Sequence, residues 1–116
     1  MKKYLIIAAL VIIAVTVVFA QAGLTLRTHY TTMTATAGAI TLSEGANFYA
    51  LAGTASVTSI TARPSGTVVW LMTTSTDTLV DGSNLKLAGD FPGTANDVIC
   101  LICDGTNWHE VSRSAN

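Results

Sequence analysis

The pattern of hydrophobic and polar positions changes sharply near residue 22. Residues 5–19 are apolar throughout except for Thr16, whereas no stretch after Gly23 shows a sustained 3.6-residue period. Beyond Gly23 threonine is abundant, valine and isoleucine are frequent, and strong helix formers are sparse. Because β-branched residues favour strands, the sequence predicts an all-β protein after Gly23, with its only helix within residues 3–22.

Individual strands are indicated by shorter patterns. Two runs, residues 67–73 and 97–103, are almost continuously apolar, which is typical of strands buried on both faces. Residues 55–62 alternate, as a half-buried strand does. The Thr-rich residues 24–36 are predicted to be an edge strand or an extended connector. The other predicted strands are residues 39–43, 48–51, 78–80, 85–87 and 108–112.

A five-residue turn motif occurs three times: an acid, glycine, a small residue, asparagine and a large apolar residue. Glycine and asparagine reach positive φ at low cost, so each copy predicts a tight turn that leads into a strand. We expect the three turns to be structurally equivalent, with positive φ at the glycine or the asparagine. The copies are Glu44-Gly45-Ala46-Asn47-Phe48, Asp81-Gly82-Ser83-Asn84-Leu85 and Asp104-Gly105-Thr106-Asn107-Trp108.

A longer internal similarity surrounds the first two turn motifs. Residues 41–48 resemble residues 78–85, and residues 51–53 resemble residues 87–89, at offsets of 37 and 36 residues. Two similar units of strand, turn and strand predict either a short β-solenoid or a small β-sandwich.

The N-terminal segment predicts export. Lys2 and Lys3 precede the apolar stretch, and Ala20-Gln21-Ala22 has the small-x-small pattern of a signal-peptidase site. Residues 4–22 are also close to the roughly 20 residues that span a bilayer. Either a cleaved signal peptide or a retained membrane anchor places the remainder outside, secreted, on the cell surface or on a virion. We therefore divide the chain into residues 1–22, a connector or edge strand over residues 23–37, and a β domain over residues 38–116.

Charge argues against a nucleic-acid partner. The formal net charge is −1, and without Lys2 and Lys3 four basic residues face seven acidic ones, which gives −3. The sequence contains no basic patch of the kind that binds nucleic acid. A membrane partner is expected only through residues 4–22, if they are not cleaved.

The two cysteines, Cys100 and Cys103, have the spacing of a redox pair but lie in a predicted strand. Residues three apart on a strand point to opposite faces, about 10 Å apart, which is beyond the roughly 7 Å limit for a disulfide. We expect two unpaired, buried cysteines. A zinc site would need two more ligands, and the only histidines, His29 and His109, form no pattern with them. No metal and no cofactor are expected.

The acids of the turn motifs are candidates for paired catalytic carboxylates, but their recurrence at one turn position favours capping of the backbone. No serine lies in a nucleophile-elbow pattern and no glycine-rich phosphate loop is recognisable. We therefore expect no enzymatic activity. Trp70 lies within an apolar run and is expected in the core. Trp108 follows a turn, and three environments are open for its side chain: the core, a subunit interface, or the surface, where it could stack on a sugar.

Three segments carry a resemblance to a known family: residues 66–71, 81–89 and 103–114. Together they resemble a module near the C-terminal ends of bacteriophage tail-fibre and related virion proteins, over about residues 38–114. The resemblance implies a β-rich, homotrimeric structural or receptor-contacting module without catalytic residues. Such modules usually close long fibre chains, whereas this one follows its own export signal. The expected function is an exported fibre or appendage component. The alternative is a carbohydrate- or cell-surface-binding module that uses Trp108 and its neighbours.

Overall fold

The computed structural model describes residues 30–116. This part contains ten strands and no helix, so the all-β prediction is confirmed for it; the predicted helix over residues 3–22 lies outside it. No helix that could cross a membrane occurs within residues 30–116. The strands are β1 (Tyr30–Thr34), β2 (Gly38–Ile40), β3 (Phe48–Ala52), β4 (Ser56–Ile60), β5 (Val68–Thr73), β6 (Thr78–Leu79), β7 (Leu85–Lys86), β8 (Phe91–Pro92), β9 (Val98–Cys103) and β10 (Trp108–Ser114).

The strands form two sheets, and the chain alternates between them. Sheet A has the order β1-β3-β5-β9-β10-β7, and sheet B has the order β2-β4-β6-β8. The pairs β1–β3 and β3–β5 are parallel, as are β2–β4 and β4–β6. Each turn of the chain, here called a rung, therefore contributes one strand to each sheet. Of the two architectures predicted, this stacking is solenoid-like.

The rungs are shorter than the internal similarity indicated. Tyr30 pairs with Phe48, and Phe48 pairs with Trp70, so successive rungs advance by 18 and 22 residues. The 37-residue offset joins the turn before β3 to the turn before β7 and passes over the turn before β5. That turn contains Pro64 and Gly66 in place of the motif, and Gly66 has φ 89°. Different residues thus form a turn at the corresponding place.

The C-terminal end of the stack is closed by a reversal of the chain. β8 pairs antiparallel with β6, and β9 pairs antiparallel with β5. The Arg113 guanidinium lies 5.4 Å from the centre of the Phe91 ring and donates to the carbonyls of Gly89 and Asp90 at 3.0 and 3.2 Å. Its hydrogen bonds with Glu110 lower the pKa of that carboxyl. This end of the core is therefore covered.

The core lies between the two sheets, and only one face of each central strand reaches it. Val69 and Leu71 of β5 are fully buried, whereas Val68, Trp70 and Met72 point outwards and are half-buried. β9 departs from this alternation at one position, because its outward Cys100 is buried, whereas its outward Val98 is half-buried and its outward Ile102 is 36% exposed. The prediction that residues 67–73 and 97–103 are buried on both faces is therefore wrong for β5, and for the outward side of β9 it holds only at Cys100.

Candidate functional site

The first two turn motifs join a strand of sheet B to a strand of sheet A, whereas the third joins β9 to β10 within sheet A, so the prediction that all three are structurally equivalent is wrong. Each leads into a strand of sheet A, namely β3, β7 or β10. Their glycines have φ of 79°, 119° and 102° at Gly45, Gly82 and Gly105. The prediction of positive φ is confirmed at the glycine in all three copies, so these residues serve the backbone.

The acids of the motifs have different roles. Asp104 caps its own turn, because its Oδ1 accepts from the backbone amides of Thr106 and Asn107 at 2.8 and 2.6 Å. The Oδ1 of Asp81 accepts instead from the amide of Leu87 at 2.8 Å, six residues along the chain. The Glu44 side chain is 93% exposed and lies 3.6 Å from the Arg63 guanidinium. Capping of the turn itself is thus observed for Asp104, and the same expectation is wrong for the other two.

Replacing Gly82 with valine should destabilise the fold. A valine at φ 119° is strained, although a Cβ there would meet nothing within 4 Å. Strain of this kind costs about 1–3 kcal/mol. Asp81→Asn is the matched variant one residue away and should be mild, because the amide oxygen still accepts from Leu87. Thermal melts compare the two variants, and a Gly82→Val melt equal to wild type contradicts the role assigned to the turn.

Acid should weaken the fold through Asp104. Hydrogen bonds from the Asn107 amide, the His109 ring and the Thr106 amide hold the pKa of Asp104 far below its ordinary value. A carboxyl whose pKa is lower in the folded state stabilises above the unfolded pKa of about 3.9 and loses that contribution as the pH falls through its folded pKa. The stability lost on Asp104→Asn should therefore be larger at pH 7 than at pH 2. Urea unfolding at both pH values measures it, and an equal loss contradicts the assignment.

The cysteines behave as the strand geometry predicted. Both are free and buried on β9, with Cys103 facing the core and Cys100 facing outwards, in register with Trp70. Burial raises the pKa of the Cys100 thiol, which lowers its thiolate content and hence its reactivity. Mass spectrometry without reduction should find no bridge between them.

The two tryptophans lie on opposite sides of sheet A: Trp108 faces the core and Trp70 points outwards. Trp108 is fully buried, and its Nε1 donates to the Thr61 carbonyl at 3.3 Å. Of the environments left open for Trp108, the structure shows the core, so this side chain cannot stack on a sugar. The expectation that Trp70 lies in the core is wrong, because Trp70 points away from it.

The outward side of β1, β3, β5 and β9 forms a continuous apolar surface, here called the outer face. The rings of Tyr30 and Phe48 stack at 5.6 Å with an interplanar angle of 28°, and Trp70 follows Phe48 in register. None of its residues is charged, and threonine is its only polar residue besides the tyrosine hydroxyl. The outward positions are Tyr30, Thr32, Thr34, Phe48, Ala50, Ala52, Val68, Trp70, Met72, Val98, Cys100 and Ile102.

Two buried carboxylates, Asp77 and Asp97, lie outside the turn motifs, and no sequence pattern indicated their burial. Asp97 accepts from the amides of Asn116 and Thr94 at 2.6 and 2.7 Å, and these bonds lower its pKa. Asp77 accepts from the Ala55 amide at 3.0 Å. Within residues 30–116 no three metal-ligating side chains come together. Asp97 therefore serves as a backbone acceptor through both oxygens, whereas Asp77 does so only through Oδ1, and its buried Oδ2 has no hydrogen-bond partner within residues 30–116.

No protein-family model matches the chain, and no curated protein or solved structure is significantly similar to it.

Proposed function

We propose that the chain is an exported, non-enzymatic structural module that works as an oligomer, a homotrimeric fibre or appendage component of phage type. The observation that supports it is the outer face of sheet A. Its strands are apolar on both sides, and on the outward side the large side chains of Phe48, Trp70 and Met72 are only half-buried in a single chain, although the smaller Ala50 and Cys100 are buried there. Copies of the chain that meet through this face would complete the burial.

The size of the outer face suits an interaction surface. Four strands about 4.8 Å apart and about five residues long cover roughly 300 Å². The largest contiguous apolar patch on a folded monomer is typically about 300–600 Å² and is often functional. Because the outward positions carry no charge, like copies can approach without electrostatic repulsion. In a trimer each outer face would meet two others around the threefold axis.

A second candidate is a carbohydrate- or cell-surface-binding module. Because Trp108 is buried, the aromatic side chains available to stack on a sugar are those of Tyr30, Phe48 and Trp70, which lie in register on three neighbouring strands. Ligand sites combine such apolar contacts with a few placed polar groups. Beside this platform the outward hydroxyls are those of Thr32 and Thr34, both on β1. This scarcity of polar groups favours self-association over sugar binding.

The fluorescence of Trp70 separates the two candidates. The chain has two tryptophans, so Trp108→Phe leaves Trp70 as the sole emitter. In the full-length chain, purified in detergent, we expect acrylamide to quench Trp70 weakly at high protein concentration and strongly after dilution. If glycans identified on a glycan array reduce the acrylamide quenching of Trp70 at constant protein concentration, the result supports sugar binding instead. Strong quenching under every condition contradicts both candidates.

A further inference from the structure

Two of the turn motifs contain an aspartate followed by glycine, namely Asp81-Gly82 and Asp104-Gly105. In such a dipeptide the glycine nitrogen can attack the Cγ carbon of the protonated aspartate carboxyl. An N–C bond forms, and the hydroxyl leaves with the amide proton as water, which gives a succinimide ring. Water then opens the ring at either carbonyl and yields aspartate or isoaspartate. Glycine has no Cβ that would hinder the approach of its nitrogen.

The turn at Asp104 fixes both oxygens of its carboxylate. Oδ1 accepts from the amides of Thr106 and Asn107 at 2.8 and 2.6 Å. Oδ2 lies 2.8 Å from Nε2 of His109 and accepts from the side-chain amide of Asn107 at 3.3 Å. These contacts stabilise the ionised form and hold the pKa of Asp104 far below its ordinary value. The carboxylate must therefore give up several hydrogen bonds and gain a proton before its Cγ can be attacked.

The carboxylate of Asp81 is held less firmly. In the part of the chain that the structure describes, it accepts one hydrogen bond, from the Leu87 amide to Oδ1 at 2.8 Å. The Gly82 amide donates to the Leu85 carbonyl at 2.9 Å in an isolated bridge beside β7, a two-residue strand at the edge of sheet A. A short, exposed pairing of this kind opens locally at a cost well below that of global unfolding. Opening this single bridge frees the glycine nitrogen.

We propose that Asp81-Gly82 is a site of spontaneous isoaspartate formation, and that the contacts of Thr106, Asn107 and His109 protect Asp104-Gly105 from the same reaction. The reaction requires no enzyme, because the water released in the first step is replaced by solvent water in the second.

The modification acts on the closed end of the stack. Isoaspartate lengthens the backbone by one carbon atom immediately before Gly82, where the chain turns back to pair with Leu85. Leu85 is fully buried and is in register with Trp108 of β10. Loss of the Gly82–Leu85 pairing therefore loosens β7 from sheet A, so the modified chain should melt at a lower temperature than the unmodified chain.

Tryptic peptides separate the two sites, because cleavage after Lys86 places Asp81 and Asp104 in different fragments. The full-length chain, purified in detergent, is kept near pH 6 and near body temperature for several weeks. Tandem mass spectrometry with electron-transfer fragmentation then locates and quantifies isoaspartate. Because each unit by which a pKa is lowered reduces the protonated fraction about tenfold, we expect isoaspartate at Asp81 to exceed that at Asp104 by about tenfold or more.

Two controls separate the fold from the local sequence. In urea that unfolds the chain, the two sites should react at similar rates, because glycine follows the aspartate in both. His109→Phe removes one contact of the Asp104 carboxylate and should raise isoaspartate at Asp104 while leaving the amount at Asp81 unchanged. The proposal is overturned by equal amounts at the two sites of the folded chain, by no isoaspartate at Asp81 when both sites react in urea, or by an excess at Asp81 that persists in urea.

Discussion

Replacing Trp108 with alanine should lower the free energy of unfolding by about 3–5 kcal/mol, the usual cost of deleting a buried tryptophan side chain. Trp108 is fully buried at the start of β10 and is in register with Leu85 of β7 and Cys103 of β9. Its removal leaves a cavity between the reversed strands that close the stack, and it abolishes the hydrogen bond to the Thr61 carbonyl. Urea unfolding monitored by far-ultraviolet circular dichroism measures the loss.

Trp70→Ala is the matched control because it removes the same side chain from a half-buried, outward position. Measured at a concentration where the chain is monomeric, its cost should be clearly smaller than that of Trp108→Ala. The reverse order of the two variants contradicts the assignment of Trp108 to the core and of Trp70 to the outer face.

Trp70→Lys should have the largest effect on assembly. A lysine at the centre of the outer face places an ammonium group between Phe48 and Cys100, its neighbours in register. A charge buried without a partner in an interface is strongly unfavourable, so copies should no longer associate through this face. Light scattering of the full-length chain in detergent should show the loss of threefold assembly, while circular dichroism retains the β-sheet signal.

Trp70→Phe is the control for that experiment, since it keeps an aromatic, uncharged side chain at the same position. It should retain the threefold assembly at protein concentrations where Trp70→Lys does not. Equal masses for the two variants would show that the outer face is not where copies meet.

The sequence predicted those parts of the fold that depend on local backbone chemistry. The turn motifs were recognisable because positive φ selects glycine, and Gly45, Gly82 and Gly105 all adopt it. The turn before β5 could not be recognised as a counterpart of the motifs, because it achieves positive φ at Gly66 with other neighbours. Sequence similarity detects only those turns that use the same residues. The 37-residue offset is therefore longer than the 18 and 22 residues by which successive rungs advance.

The tryptophans show what a local pattern cannot predict. In a strand that alternates polar and apolar residues, the apolar positions identify the buried side. In β5 and β9 nearly every position is apolar, so the pattern does not tell whether Trp70 points in or out. That choice depends on pairing with β3 and β9, which are distant in sequence. On the outward side of these strands a single chain buries Cys100 but leaves Trp70 half-buried and Ile102 exposed.

The position of the outer face was not predicted from the sequence. The resemblance to fibre modules predicted self-association, while the residues proposed for surface contact centred on Trp108, which the structure buries. Tyr30 had been assigned to a connector or edge strand, and no sequence signal indicated that its ring would stack on Phe48 across a parallel pair.

Sedimentation equilibrium of the full-length chain in density-matched detergent tests most directly whether the outer face joins copies of the chain. The chain has a mass of 12.1 kDa, and the proposed assembly predicts a protein mass of three chains. The mass should fall on dilution as Trp70 becomes accessible to quenching. A mass of one or two chains at every concentration contradicts the account.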